Sequence, residues 1–276
     1  REAARAIKAA VAEGAQPEGA AAGHIALVGA GPGARDLMTL RAVQRLQEAD
    51  VIFYDRLVDA EVLELARRDA ERVFVGKHVG AHGWPQPRIN ARIVAEARRG
   101  RRVVRLKSSD PGIFGRAGEE IAAARAAGVE VEIVPGVTAA SAAGAALGRS
   151  LTGRGVANTL VLATGTGSAH DPLPDCTRLS GPGTTTAFYM AARQAGRIAA
   201  ALMAQGLAPS SPVEIVVDAS KAGQRVLTAP VAELAGAMGE NGIDGCAMLL
   251  VTWPEAGAPA QGIEREEAGA RARLLA

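Results

Sequence analysis

From His24 onward, short apolar runs alternate with longer stretches whose apolar residues recur at helical spacing. IALVG (25–29) is unbroken by polar residues, the pattern of a strand buried on both faces. Over 40–49, Leu40, Val43 and Leu46 recur at helical spacing, and Thr39 stands where an N-cap belongs. VIFYD (51–55) predicts a second strand, 61–68 a short helix and RVFVG (72–76) a third strand. Ile89, Ile93, Val94 and Ala97 line one face of a helix over 88–99, which Gly100 stops. A strand at VVRL (103–106), a helix at 118–127 and a strand at VEIV (131–134) follow. The second half repeats the style, with strands at TLVLAT (159–164), TTAFYM (185–190), VEIVV (213–217) and AMLLVT (247–252), and helices at 194–205 and 231–240. This alternation predicts an α/β fold of mostly parallel sheet covered by helices. The expected architecture is two α/β lobes, 24–136 and 137–254, joined near 136–150; one large lobe is the alternative.

Residues 1–23, rich in Ala, Gly and Glu, read as a linker or the tail of an upstream domain, with a short Ala-rich helix over Glu2 to Glu13. Residues 255–276 read as a mobile tail. At 276 residues and 48% hydrophobic, the chain can bury one large core or two smaller ones. A net charge of +2 and only 3% aromatic residues argue against a nucleic-acid partner. No apolar run approaches the length of about 18 residues that a membrane span requires. Cys176 and Cys246 lack metal spacing and read as inert thiols of a reducing, cytoplasmic compartment, a disulfide being the alternative. The four histidines show no metal spacing, so no metal is expected.

Chemistry concentrates in four segments. VGAGPG (28–33) follows a buried strand and precedes a helix. Gly29, Gly31 and Ala34 also satisfy a dinucleotide-binding pattern, with Asp55 ending the second strand where a ribose-binding acid would sit, so a nicotinamide oxidoreductase is a rival reading. Pro32 argues against it, because it removes an N–H that a pyrophosphate would need. In RLKSSDPGIFGRAGEE (105–120), Asp110 before a proline is held extended at the end of a strand. Arg116 lies just before Glu119 and Glu120; an Arg–Glu pairing at a helix start reads as a structural ion pair or, alternatively, Arg116 faces a cleft and holds carboxylates. VPGVTAASAAGAA (134–146) is filled with small residues, which suits tight helix packing or a closely approaching flat ligand. LTGRG (151–155) places Arg154 in a glycine-flanked loop. The basic run over 88–107 reads as a solvated helix face, with an electrostatic funnel for an anion as the sharper alternative.

These motifs, with AFYM (187–190) and RVFVGKHVG (72–80), resemble the tetrapyrrole methyltransferase family, in the branch that C-methylates uroporphyrinogen III, in family order over residues 24–254. The resemblance implies two α/β domains with S-adenosylmethionine in the cleft between them, usually as a homodimer. It implies methylation at C2 and C7, giving precorrin-2 and S-adenosylhomocysteine; a later precorrin as acceptor is a closer rival. The cofactor pattern falls on Pro32, Ser108, Ser109, Asp110, Ile113, Thr138, Ala139, Met190 and Ala219. Proton handling falls on Asp55 and Lys77, and the substrate side on Arg116, Glu119, Arg154 and Met190, with Arg116 as a proposed acid–base group. The same resemblance, to the carboxy-terminal half of a siroheme synthase, implies a fused upstream dehydrogenase–ferrochelatase half. Three departures stand out: Ser108-Ser109 where the family usually has Gly-Gly, Gly153 where it has His, and Asp218-Ala219-Ser220 where it has Asn-Gly-Thr. A serine at 108 or 109 would be strained if its φ were positive. The Ser108-Ser109 change also motivates a third reading, a non-catalytic binding module.

Overall fold

A computed structural model describes residues 23–76, 84–167 and 175–257. The expected helix at Glu2–Glu13, most of the expected tail, Lys77, His78, His82 and His170 lie outside the described residues. The chain divides into two compact units: the first runs to Ala142 and includes Ala219–Ala222, and the second holds Ala143–Asp218 and the chain from Gly223.

In the first unit, five strands form one sheet in the order β3-β2-β4-β1-β5. They are β1 (His24–Gly29), β2 (Val51–Tyr54), β3 (Glu71–Phe74), β4 (Val103–Lys107) and β5 (Glu130–Val134). Every neighbouring pair is parallel, so all strands end on one edge. Helices α1 (Leu40–Glu48) and α2 (Ala60–Leu63) cover one face, packing Leu46, Val62 and Leu63 against Val28, Val104 and Leu106. Helices α3 (Gln86–Arg98) and α4 (Ala117–Ala126) cover the other, packing Ile89, Ile93 and Ala124 with Leu27, Phe53 and Val103. Thr39 caps α1 through its hydroxyl, which accepts from the Ala42 amide at 3.2 Å. The helix expected over 61–68 is only the single turn α2, entered through Asp59, whose side chain accepts from the Glu61 amide. Helix α5 spans Ala139–Ala146.

The second unit corrects the expectation of mostly parallel sheet. Its strands are β6 (Thr159–Thr164), β7 (Thr184–Tyr189), β8 (Pro212–Val217), β9 (Arg225–Pro230) and β10 (Ala247–Trp253), in the order β6-β7-β10-β8-β9. Only β6 and β7 run parallel; β10 is antiparallel to both neighbours, and β9 to β8. Short apolar runs look alike in buried strands of either direction, so the pattern does not fix strand polarity. Helices α6 (Ala195–Ala204) and α7 (Leu234–Glu240) pack Ile198, Leu202 and Leu234 on Phe188, Ile215 and Leu249. Cys176 is buried, Cys246 is exposed, and both are free. Among the described residues, no helix is long and apolar enough to cross a membrane.

Candidate functional site

In the first unit, β1 is followed by α1 on one face of the sheet and β4 by α4 on the other. Loops that leave adjacent parallel strands toward opposite faces open a crevice at their carboxyl ends, where open α/β sheets take ligands. Gly31 and Ser109 form an isolated bridge across this point, with the Ser109 amide donating to the Gly31 carbonyl at 2.7 Å. Gly29 and Gly136 meet here with no room for a side chain. A Cβ on Gly136 would lie 2.4 Å from the Ser109 carbonyl oxygen and 2.9 Å from the Gly29 Cα.

Seven of the residues given a cofactor role gather in these loops. Pro32 is buried in the turn that links Gly31 (φ 64°) to Gly33 (φ 149°). The expected positive φ falls on Ser109 (64°) and not on Ser108. The Ser109 hydroxyl accepts from the Ala139 amide at 2.8 Å and reaches the Thr138 hydroxyl at 3.4 Å, capping the start of α5 from thirty residues away. Ser108 is half-buried, and its hydroxyl has no partner among the described residues. Asp110 joins two loops: Oδ1 accepts from the Gly112 amide at 2.8 Å and Oδ2 from the Gly136 amide at 3.0 Å. Ile113 follows in the same turn, its amide donating to the Asp110 carbonyl. Ala219 lies between two residues of positive φ, Asp218 (47°) and Ser220 (66°), and the Ser220 hydroxyl accepts from the Ala34 amide at 3.3 Å.

Asp55 directly follows β2 and is half-buried. Its Oδ1 accepts from the Leu57 amide at 3.1 Å and its Oδ2 from Arg105 Nη2 at 3.2 Å. Arg116, at φ 57°, is exposed and forms a two-pronged pair with Glu119, at 2.7 and 2.8 Å. That is the structural reading of the pair; Glu119 holds the guanidinium that a substrate carboxylate would have to recruit.

Two candidates belong to the second unit. Met190 follows β7 at φ 50°, half-exposed, and its carbonyl accepts from the Thr166 hydroxyl at 2.9 Å. Arg154 is exposed in a loop closed by reciprocal Gly153–Ala157 backbone bonds of 2.9 Å. Position 153 has space for a side chain, since a Cβ there comes no nearer than 3.6 Å to Val156.

The reading of 88–107 as a solvated helix face fails for its last part. Arg105 and Lys107 lie on β4, each 5% exposed, held by Glu120, which is 4% exposed. One signal bears on this: cations on a strand of a parallel sheet that helices cover on both faces need buried partners.

A parallel sheet with diverging loops, two serines and a carboxylate at its carboxyl edge defines an α/β unit suited to binding a small polar ligand there. Comparison with known proteins supplies the family. The model of tetrapyrrole (corrin/porphyrin) methylases matches residues 24–235, and the chain belongs to that family. A siroheme synthase of Edwardsiella ictaluri is 47% identical over 212 residues, 77% of this chain and 46% of that protein. The chain spans about half the length of the curated relatives it matches. Among solved structures, a uroporphyrin-III C-methyltransferase of Thermus thermophilus in complex with S-adenosylhomocysteine is 37% identical, with a TM-score of 0.72, covering 83% of this chain and 97% of that one. A cobalt precorrin-4 methyltransferase of cobalamin biosynthesis is 28% identical, with a TM-score of 0.73, covering 83% and 95%.

Proposed function

We propose that this chain methylates uroporphyrinogen III at C2 and C7 with S-adenosylmethionine, forming precorrin-2. The observation that carries the reading is the 37% identity to a uroporphyrin-III C-methyltransferase that holds S-adenosylhomocysteine, together with the gathering of the expected cofactor residues on one edge of the first sheet. The residues present fit such a ligand. The crevice between β1 and β4 carries the half-buried Ser108 hydroxyl without a described partner, and Gly29, Gly31 and Gly136 keep side chains out of it. Pro32, Ser108, Ser109, Asp110, Ile113, Thr138 and Ala139 would hold the nucleoside and amino-acid parts, with Met190 and Ala219 as further contacts.

When bound, the sulfonium supplies an electrophilic methyl group for an electron-rich pyrrole carbon and leaves as a neutral thioether. The work of this chain is alignment and the handling of one proton per turnover. Asp55 is suited to accept that proton, because its carboxylate is half-buried, already oriented, and retains unused lone pairs on both oxygens. Lys77 is proposed as its proton-handling partner. Arg116 and Arg154 are exposed cations suited to the substrate's acetate and propionate groups, Arg116 by exchanging Glu119 for a substrate carboxylate. The nicotinamide reading loses its support at Asp55, which is turned to Arg105, and at Pro32.

The test is a product mass. Anaerobic incubation with uroporphyrinogen III and S-adenosylmethionine is expected to add two methyl groups and then stop, with two S-adenosylhomocysteines per macrocycle. Addition of no methyl group, with the cofactor bound, would remove the acceptor assignment.

A further inference from the structure

Beneath the carboxyl end of β4, four charged side chains share one site, and only Asp55 has been given a role so far. Arg105 and Lys107 lie two residues apart on β4, so both leave the sheet on the same face, toward α3 and α4. Glu120 of α4 accepts from Arg105 Nε at 3.0 Å, from Lys107 Nζ at 2.9 and 3.0 Å, and from Gln86 of α3 at 3.2 Å. Arg105 Nη1 donates to the Leu106 carbonyl at 2.7 Å and the Phe53 carbonyl at 3.4 Å. Its Nη2 reaches Asp55.

Packing alone does not account for this set. Apolar residues of similar volume generally stabilise a core as well as a buried ion set does. Two cations and two carboxylates balance in charge, and three of the four are sealed from water. The fourth, Asp55, has a side chain 28% exposed at the site edge. A guanidinium is a rigid fork, and here its other donors are fixed by Glu120 and two carbonyls, so the direction of Nη2 is set from below. Burial, and then the charge of Arg105, pull the Lys107 ammonium below the usual lysine value, in keeping with a site where water screens little.

We propose that Arg105 is the positioning residue of Asp55: anchored by Glu120 and by the Phe53 and Leu106 carbonyls, it holds the Asp55 carboxylate in the orientation that receives the substrate's proton. The assignment rests on reading Asp55 as the proton acceptor. The test measures uroporphyrinogen III methylation by the full chain carrying Arg105→Gln, Arg105→Lys, Asp55→Asn, or Arg105→Gln with Asp55→Asn. Asp55→Asn is expected to lower kcat by roughly 100-fold or more. Arg105→Gln should lower kcat by roughly 30-fold while KM for S-adenosylmethionine stays within about twofold. Arg105→Lys, which keeps a cation, should recover part of that loss. In the Asp55→Asn background, Arg105→Gln should cost less than about threefold more, because the group it positions is already gone. Losses that multiply in that background, or a raised KM with kcat intact, would overturn the positioning role. Full turnover in Asp55→Asn would overturn the proton-acceptor reading and this proposal together. An impaired Asp55→Asn beside a fully active Arg105→Gln would overturn only the latter. Should Arg105→Gln fail to fold, Arg105→Lys alone and with Asp55→Asn, which keep the buried charge balance, supply the same comparison.

Discussion

Each unit carries an arginine–glutamate system anchored on its sheet, and the two are built differently. In the first, Arg105 and Lys107 stand on a central strand that runs parallel to both neighbours, and their hydrogen bonds lead to a half-exposed carboxylate on the edge where all five strands end. In the second, Arg149 closes two-pronged on Glu214 of β8 at 3.0 and 2.9 Å, then reaches Thr252 of β10, which bonds Thr185 of β7 at 3.0 Å. That chain crosses three neighbouring strands and stops at hydroxyls. Parallel strands deliver side chains to one edge; antiparallel strands send alternate ends to opposite edges. Met190, the second unit's cofactor candidate on a strand end, follows the one parallel pair there.

The sharpest way to break this comparison is to neutralise each glutamate. Glu120→Gln and Glu214→Gln should each cost on the order of 3 kcal/mol of unfolding free energy, since each leaves a cation with little access to water undercompensated. Their effects on turnover should separate. Glu120→Gln should lower kcat by roughly tenfold by loosening Arg105, whereas Glu214→Gln should leave turnover per folded molecule unchanged. Denaturant titration and initial rates on the same preparations check both. Equal losses of turnover would mean that the two systems serve stability alike.

The amino edge of the first sheet offers a milder contrast. Asp50, just before β2, accepts from the Arg102 amide at 2.8 Å, from the Arg102 guanidinium at 2.9 Å and from Arg67 at 3.1 Å. The Arg102 hydrogen bond, offset in part by burial, pulls the Asp50 carboxyl from 3.8 to about 2. A carboxyl depressed on folding stabilises the fold above its unfolded value, and the contribution fades as pH falls through the folded one. Stability from Asp50 should therefore be complete above pH about 4 and lost toward pH 2. With screening allowed for, Asp50→Asn should cost roughly 1 to 2 kcal/mol at pH 7 and little at pH 2. Turnover should not change, because none of the hydrogen bonds described for Asp50 reaches the site. A thermal-melt series over pH checks the window; a constant deficit at every pH would mean that the ionised carboxylate is not what stabilises this edge.

These contrasts also mark what the sequence disclosed. The strands of the first unit were legible because buried parallel strands are short apolar runs between amphipathic helices. The loops of the site were legible because glycine, proline and a pre-proline acid restrict the backbone in known ways. Strand direction in the second unit was not, and neither was β9, an edge strand with a single buried residue that carries little of the buried-run signal. Arg105 and Lys107 were hidden by company: in sequence they end a run of arginines, and only the depth of β4 separates them from the solvated ones. Glu120 looked like part of a helix-start pair with Arg116, yet Glu119 takes Arg116 and Glu120 turns inward, because adjacent helical residues point about 100° apart.

The smallest expected effect lies at Ser109, where the same residue strains the backbone and relieves a helix end. Its φ of 64° is costly for a side chain that is not glycine, by roughly 1 kcal/mol. Its hydroxyl caps the Ala139 amide at 2.8 Å, a bond whose removal typically costs about 1 kcal/mol. Ser109→Gly removes both at once, so stability should move by less than about 0.5 kcal/mol in either direction. Ser109→Ala keeps the strain and loses the cap, and should cost about 1 kcal/mol. Urea titration of the two variants separates the terms. If Ser109→Gly is clearly stabilised while Ser109→Ala is neutral, the hydroxyl contributes nothing to α5, and only the strain of the left-handed backbone is left at this position.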